Sequence, residues 1–182
     1  MKEVEARLVI EDFNLLATTM RGTERDACTE LFFLLQKIGD SEPKVCRTGI
    51  SGLIAGRTIL SPLDVIGKFR QILLERPYEF RYTLRIIPIE EIVHTDLEHI
   101  RTAAAELGLK IGKTESFRIT VEKRFTSLSS KAIVEASAEP IKRKVDLSDP
   151  DKVLLIEVVG KLTGLSLLNP DSILSVLKEK ML

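Results

Sequence analysis

The chain contains no tryptophan, and among its 182 residues there are only two tyrosines, two cysteines and two histidines. Aromatics make up 5% of it, which leaves little for a surface that stacks on many bases. Cys28 and Cys46 have no Cys-x-x-Cys spacing, so they suggest neither a disulfide framework nor a zinc site. Both are expected as small hydrophobes. No apolar run approaches the roughly 20 residues of a membrane helix, and no GxxxxGK[ST] phosphate loop occurs. The opening stretch, MKEVEARLVIEDF, is charged throughout and lacks the apolar centre of a signal peptide. A soluble, cytoplasmic protein is expected. Charge of one sign is also missing. Twenty-seven Lys and Arg balance 27 Asp and Glu, so no global field draws the chain to nucleic acid.

What is present is a patterned globular sequence with 44% hydrophobic residues. FNLLATT reads as a strand. A helix follows, with Thr23 at its N-cap, Asp26 three residues on, and Ala27, Leu31, Leu34, Leu35 and Ile38 at helical spacing. PKVCRT and GLIAGRTI form a hairpin around Gly49–Gly52. Ser61 and Pro62 open a second helix, which Pro77 stops. EFRYTLRIIPI alternates as a strand. The order βαββαβ over residues 1–92 is that of a ferredoxin-like domain.

Glu90-Glu91 reads as a solvated acidic joint. Residues 93–182 then follow a different order. A helix starts at a Thr95/Glu98 capping box and ends at Gly108. FRITVEK is a strand with Phe117, Ile119 and Val121 on one face. A helix capped by Ser129 or Ser130 comes next. Two apolar strands joined by Gly160-Lys161 lead to a last helix opened by Asn169 and Pro170. The first two strands flank a helix and should be parallel, giving a mixed sheet. The fold class is therefore α+β, in two domains expected to pack on each other.

Few residues suggest chemistry. His94 and His99 are five apart, a poor spacing for a shared ligand, and read as surface histidines. The glycines of TGISGLIAG sit in a hairpin and read as turn geometry. No catalytic set, metal cluster or cofactor loop stands out, so a non-enzyme without cofactor is expected. Charge is sorted, however. Residues 113–144 hold eight Lys and Arg against four Glu, whereas 85–106 hold two Arg against five Asp and Glu. Lys123 and Arg124 fall where a strand meets a helix start, whose free amides favour an anion. Ser127, Ser129, Ser130 and Lys131 follow. Arg118 lies on the polar strand face, and Lys142, Arg143 and Lys144 lie beyond the helix. Composition leaves a solvated charged face and a phosphate-binding surface equally open.

FRITVEKRFTSLSSKAIVEASAEPI followed by KVDLSDPDKVLLIEVVGKLTGLSLL resembles a THUMP domain. Val145, Leu147 and Pro150 match its VDL-x-x-P signature, and GLSLL matches its last strand. The resemblance implies a tRNA-binding protein that contacts the acceptor-stem end, with an N-terminal ferredoxin-like domain before the THUMP domain. The basic residues named above become candidate RNA contacts. With the chain ending at Leu182, the layout resembles the stand-alone THUMP adaptor that presents tRNA to a separate cytidine N4-acetyltransferase. The alternatives are a partner of another tRNA-modifying enzyme, for thiolation, methylation or pseudouridylation, and a ferredoxin-like sensor or interaction module that binds no RNA.

Overall fold

The computed structural model describes residues 12–181. Residues 1–11, on which most of the signal-peptide reading falls, lie outside them. None of the described helices is long and apolar enough to cross a membrane. The chain forms two compact units. One runs through residue 88 and takes in the C-terminal segment from 173, and the other is Ile89–Ser172.

The first unit follows the expected βαββαβ order. Its elements are β1 (Leu15–Thr19), α1 (Glu24–Lys37), β2 (Lys44–Arg47), β3 (Leu53–Arg57), α2 (Pro62–Glu75) and β4 (Thr83–Pro88). The sheet is antiparallel throughout, in the order β4-β1-β3-β2, with a short fifth strand, β10 (Leu174–Ser175), beyond β4. Helical spacing in α1 points Ala27, Leu31, Leu34 and Leu35 at Leu15, Ala17 and Ile54 of the sheet. Val65, Ile66, Phe69 and Leu73 of α2 complete this core. Gly49 and Gly52 adopt φ of +78° and +77° in the β2–β3 turn, which only glycine does freely. The Gly52 amide donates to Glu24 at 2.7 Å, tying the hairpin to the start of α1. Cys28 and Cys46 are half-buried here, and burial pushes the Cys28 thiol up to about 11.

Two sequence expectations change in this unit. Alternation placed the start of the last strand near residue 79, but β4 begins at Thr83. The amides of Arg81, Tyr82 and Thr83 donate to the Glu30 carboxylate at 2.7–3.0 Å, so a helix side chain takes the place of a neighbouring strand. The helix expected to start at Asn169 begins only at Val176. Ser172 closes a turn on the Asn169 carbonyl. Leu174 and Ser175 then pair with Ile86 and Arg85, and α5 (Val176–Lys180) follows. Leu174 and Val176 are buried in the first unit's core. The boundaries between the units thus fall at 88/89 and 172/173, where the sequence reading had a single boundary at 92/93.

The second unit comprises β5 (Glu91–His94), α3 (Leu97–Gly108), β6 (Ser116–Arg124), α4 (Ser130–Ala138), β7 (Lys144–Val145), β8 (Lys152–Val159) and β9 (Leu162–Leu168). Sheet order is β5-β9-β8-β6-β7, with β6 parallel to β7 and β8 and the other pairs antiparallel. This is the expected mixed sheet. The supposed acidic joint is structured: Glu91 pairs with Leu165, and the Glu90 carboxylate accepts the Leu167 amide at 2.7 Å. Ile100, Ala104 and Leu107 of α3 and Ile133 of α4 pack on Phe117, Leu154, Ile156 and Leu165. A Cβ at Gly108 would lie 2.7 Å from Ile141, so this close approach requires glycine.

The C-terminal segment is held by Arg70, which binds Glu179 through Nε at 2.6 Å and Nη2 at 3.1 Å. The Arg70 hydrogen bond keeps the Glu179 carboxyl below its ordinary value of 4.5. A depressed carboxylate contributes stability above its unfolded value, and this is lost as pH falls through the folded value. Exchange protection of the Ser175 and Val176 amides should therefore weaken below about pH 4.5. In Glu179→Gln it should be lower at neutral pH by on the order of 1 kcal/mol and lack that acid step. Identical protection in both proteins at every pH would show that the pair does not hold the segment.

Candidate nucleic-acid interface

The register of the second sheet defines one of its ends. Arg124 faces Val159, Val159 faces Leu162, and Leu162 faces His94. From this row β5 leads into α3 and β6 into α4, with the Gly160-Lys161 turn between them. Two helix N-termini thus lie at one end of the sheet, a place that favours anions.

The two helix starts differ. The Thr95/Glu98 capping box does not form. Asp96 is the N-cap and accepts the His99 amide at 2.9 Å, while the Thr95 hydroxyl shares a 2.8 Å hydrogen bond with Thr163. The Asp96 carboxyl is held below its usual range, first by that His99 amide. The His99 ring also binds Asp96, and the rings of His94 and His99 stand 5.9 Å apart, closer than their spacing suggested. No metal-binding group of His, Cys, Asp or Glu occurs among the described residues. At α4 the cap is neutral: Ser129 Oγ accepts the Ala132 amide at 3.1 Å. The first turn of α4 has no acidic residue and contains Lys131, whereas α1, α2, α3 and α5 each carry an Asp or Glu there. The positive end of the α4 dipole is therefore the least compensated.

The structure splits the ten candidate residues into two groups. Lys123, Arg124, Ser127, Ser129, Ser130 and Lys131 gather at this corner. Lys123 is exposed and donates to the Leu128 carbonyl at 3.1 Å. Ser127, Ser129, Ser130 and Lys131 are exposed, and Lys131 makes only a loose 3.8 Å pair with Glu135. Arg124 is engaged otherwise. Its Nη1 lies 2.6 Å from Glu157, a carboxylate on β8 that is 1% exposed. Arg118, Lys142, Arg143 and Lys144 form the second group, towards the start of β6, where Lys144 faces Ser116. Arg118 donates to the Leu147 carbonyl at 3.2 Å, and Arg143 to the Ile111 carbonyl at 2.9 Å. At roughly 3.3 Å per residue, β6 keeps Lys144 on the order of 25 Å from the corner. Lys161 and Phe125, both exposed at the corner, were missed. Lys161 was legible only as half of a turn.

No protein-family model and no curated protein sequence matches the chain. Solved structures do. PH1313 from Pyrococcus horikoshii aligns with a TM-score of 0.63 and 18% identity over 85% of this chain and 54% of its own. A 4-thiouridine synthetase in complex with RNA and ATP aligns with a TM-score of 0.50 and 17% identity, over 87% of this chain and 42% of its own. SMU.472, assigned as a methyltransferase and solved with SAH, gives a TM-score of 0.51 and 12% identity over 86% and 41%. The chain spans about half the length of these proteins or less. The likeness shows the fold, an α+β architecture that also occurs in a protein solved with RNA. It also corrects the expectation of a non-enzyme. The same architecture forms part of a synthetase and of a protein assigned as a methyltransferase, so it is no ground for reading this protein as non-catalytic.

The Arg124–Glu157 pair generates a stability prediction. Removing Arg124 takes an ion-pair partner from a buried carboxylate, which typically costs about 3–5 kcal/mol. Urea unfolding should show a loss of this order in Arg124→Ala, and a change within about 0.5 kcal/mol in Lys123→Ala. An unchanged midpoint in Arg124→Ala would show that the pair contributes nothing.

Proposed function

We propose that the second unit binds tRNA at the corner where β6 enters α4, and that the protein serves tRNA modification. The carrying observation is the cluster of exposed Lys123, Lys131 and Lys161 around the helix start that alone lacks an acidic residue. Three exposed ammonium groups, serine hydroxyls and helix-start amides suit the closely spaced phosphates of an A-form stem. The fold shared with an RNA-bound synthetase supports this reading. So does the THUMP resemblance, which adds the acceptor-stem end as the region bound. In the first unit we read the β4-β1-β3-β2 core as a ferredoxin-like arrangement.

The finer reading is delivery of tRNA to a cytidine N4-acetyltransferase, on the strength of domain layout. Thiolation is the second reading, favoured by the likeness to the 4-thiouridine synthetase. Either reaction needs the tRNA oriented and concentrated at the reacting centre, which a bound stem provides.

The affinity of the full chain for folded tRNA should fall with salt. Replacing Lys123, Lys131 and Lys161 together by Ala should flatten the slope of log K against log salt by roughly 0.7–0.9 for each phosphate that is no longer neutralised. Lys142→Ala with Lys144→Ala should leave that slope nearly unchanged. The reverse pattern would move the site to the start of β6, and no tRNA binding at all would favour a sensor or interaction module. For the partner, tRNA acetylation by the candidate acetyltransferase with acetyl-CoA and ATP should require this protein and drop in the triple variant. Full acetylation without it, or thiolation in its place, would reject the acetyltransferase reading.

A further inference from the structure

Among the described residues, Phe125 is the one non-glycine with a positive φ, at 54°. A bulky side chain rarely adopts this conformation, because its Cβ crowds the backbone. The ring is not repaid by burial. Phe125 is 79% exposed, the most exposed phenylalanine in the described chain. Scattered exposed apolar residues need no explanation, but one held outwards in an unfavourable backbone state does.

The residues on either side fix the ring in place. Before it, Arg124 is locked by its pairing with Val159, by the 2.9 Å bond from the Gly160 amide to its carbonyl, and by its ion pair with Glu157. After it, Leu128 packs on the second unit's core, and its amide donates to Thr126 Oγ1 at 3.2 Å. Lys123 bridges the loop from below through the Leu128 carbonyl. The left-handed turn at Phe125 is thus held between two anchors. The segment from Phe125 to Lys131 contains no acidic residue.

A flat apolar face beside ammonium groups matches the two halves of a nucleotide, a base and its phosphate. Paired bases inside a stem present no free face, so the complementary ligand is an unpaired one. We propose that Phe125 stacks on an unpaired base of the RNA while Lys123 and Lys131 hold neighbouring phosphates. This rests on the RNA-binding reading above, and a single ring accords with the expectation, drawn from few aromatics, that the surface does not stack on many bases.

The test compares a blunt RNA hairpin with hairpins of the same stem carrying a short unpaired extension at one end or the other. Binding to the full chain is followed by fluorescence anisotropy, and a 2-aminopurine in the extension reports stacking. The wild-type protein should prefer an extended hairpin by about tenfold or more and quench the 2-aminopurine. Phe125→Ala should lose both effects yet bind the blunt hairpin as before, with an unchanged salt slope. Phe125→Tyr should restore them and Phe125→Leu should not, which separates a π face from mere bulk. If Phe125→Ala keeps the preference, or weakens both RNAs equally, stacking is overturned and RNA binding stands. If the wild-type protein binds none of the hairpins and no tRNA, the RNA reading itself falls, and the stacking proposal with it.

Discussion

A carboxylate in the middle of an apolar strand constrains everything around it. Glu157 lies in KVLLIEVV, where all of its neighbours from Val153 to Val159 are buried. Such a group is costly unless a counter-charge and hydrogen bonds meet it. Arg124, the last residue of β6, supplies the charge at 2.6 Å. An ion pair of this kind rarely adds much over two well-packed apolar residues. What it fixes is register. A one-residue slip of β6 against β8 would turn Arg124 to the other face and strand Glu157 from it. The end of β6 is therefore defined to the residue, and so are the Phe125 turn and the start of α4 that grow from it.

The same logic explains how a chain with no net charge keeps a positive corner. Many of its carboxylates serve the backbone. Glu24 takes the amides of Gly22 and Gly52, Glu30 those of residues 81–83, Asp146 those of Ser148 and Asp149, and Asp151 that of Ser116. Those bonds hold Glu24, Asp146 and Asp151 below their ordinary pKa values. Acidic residues are thus placed where turns and helix starts need acceptors. At α4 a serine does that work instead, so the first turn beside Lys131 carries no acid.

Much of this was legible from the chain, and the misses have a common cause. Pro62 at a first helical position, the glycine turns, the Phe117–Ile119–Val121 face and the parallel β6–β8 pair follow from local chemistry and periodicity. What failed was decided by partners distant in sequence. β5, β7 and β10 have four, two and two residues, too few for a pattern, and each exists because an edge strand was available to pair with. Thr95 lost its cap role to Asp96 because Thr163 binds its hydroxyl. The basic residues were grouped by sequence density. A nine-residue strand running between them sends Lys142–Lys144 to the far end, while the β8–β9 turn brings Lys161 in. Composition counts aromatics without saying which way they face, so it does not single out Phe125.

Phosphate binding alone gives an RNA-binding surface affinity without position, because every step along a stem offers much the same charge. A modification system must act at one nucleotide, so something has to mark an origin. An unpaired base is such a mark, since it occurs only where a stem ends or is interrupted. The proposed site would join both functions at one corner of the second unit. On the proposed reading the lysines bind any stem, and the ring next to them favours the place where pairing stops. Arg124 and Leu128 anchor the turn on either side, so the offset between the Phe125 ring and the lysines is set by the fold. If the proposal holds, that offset is what lets a charge patch tell one end of a stem from its middle.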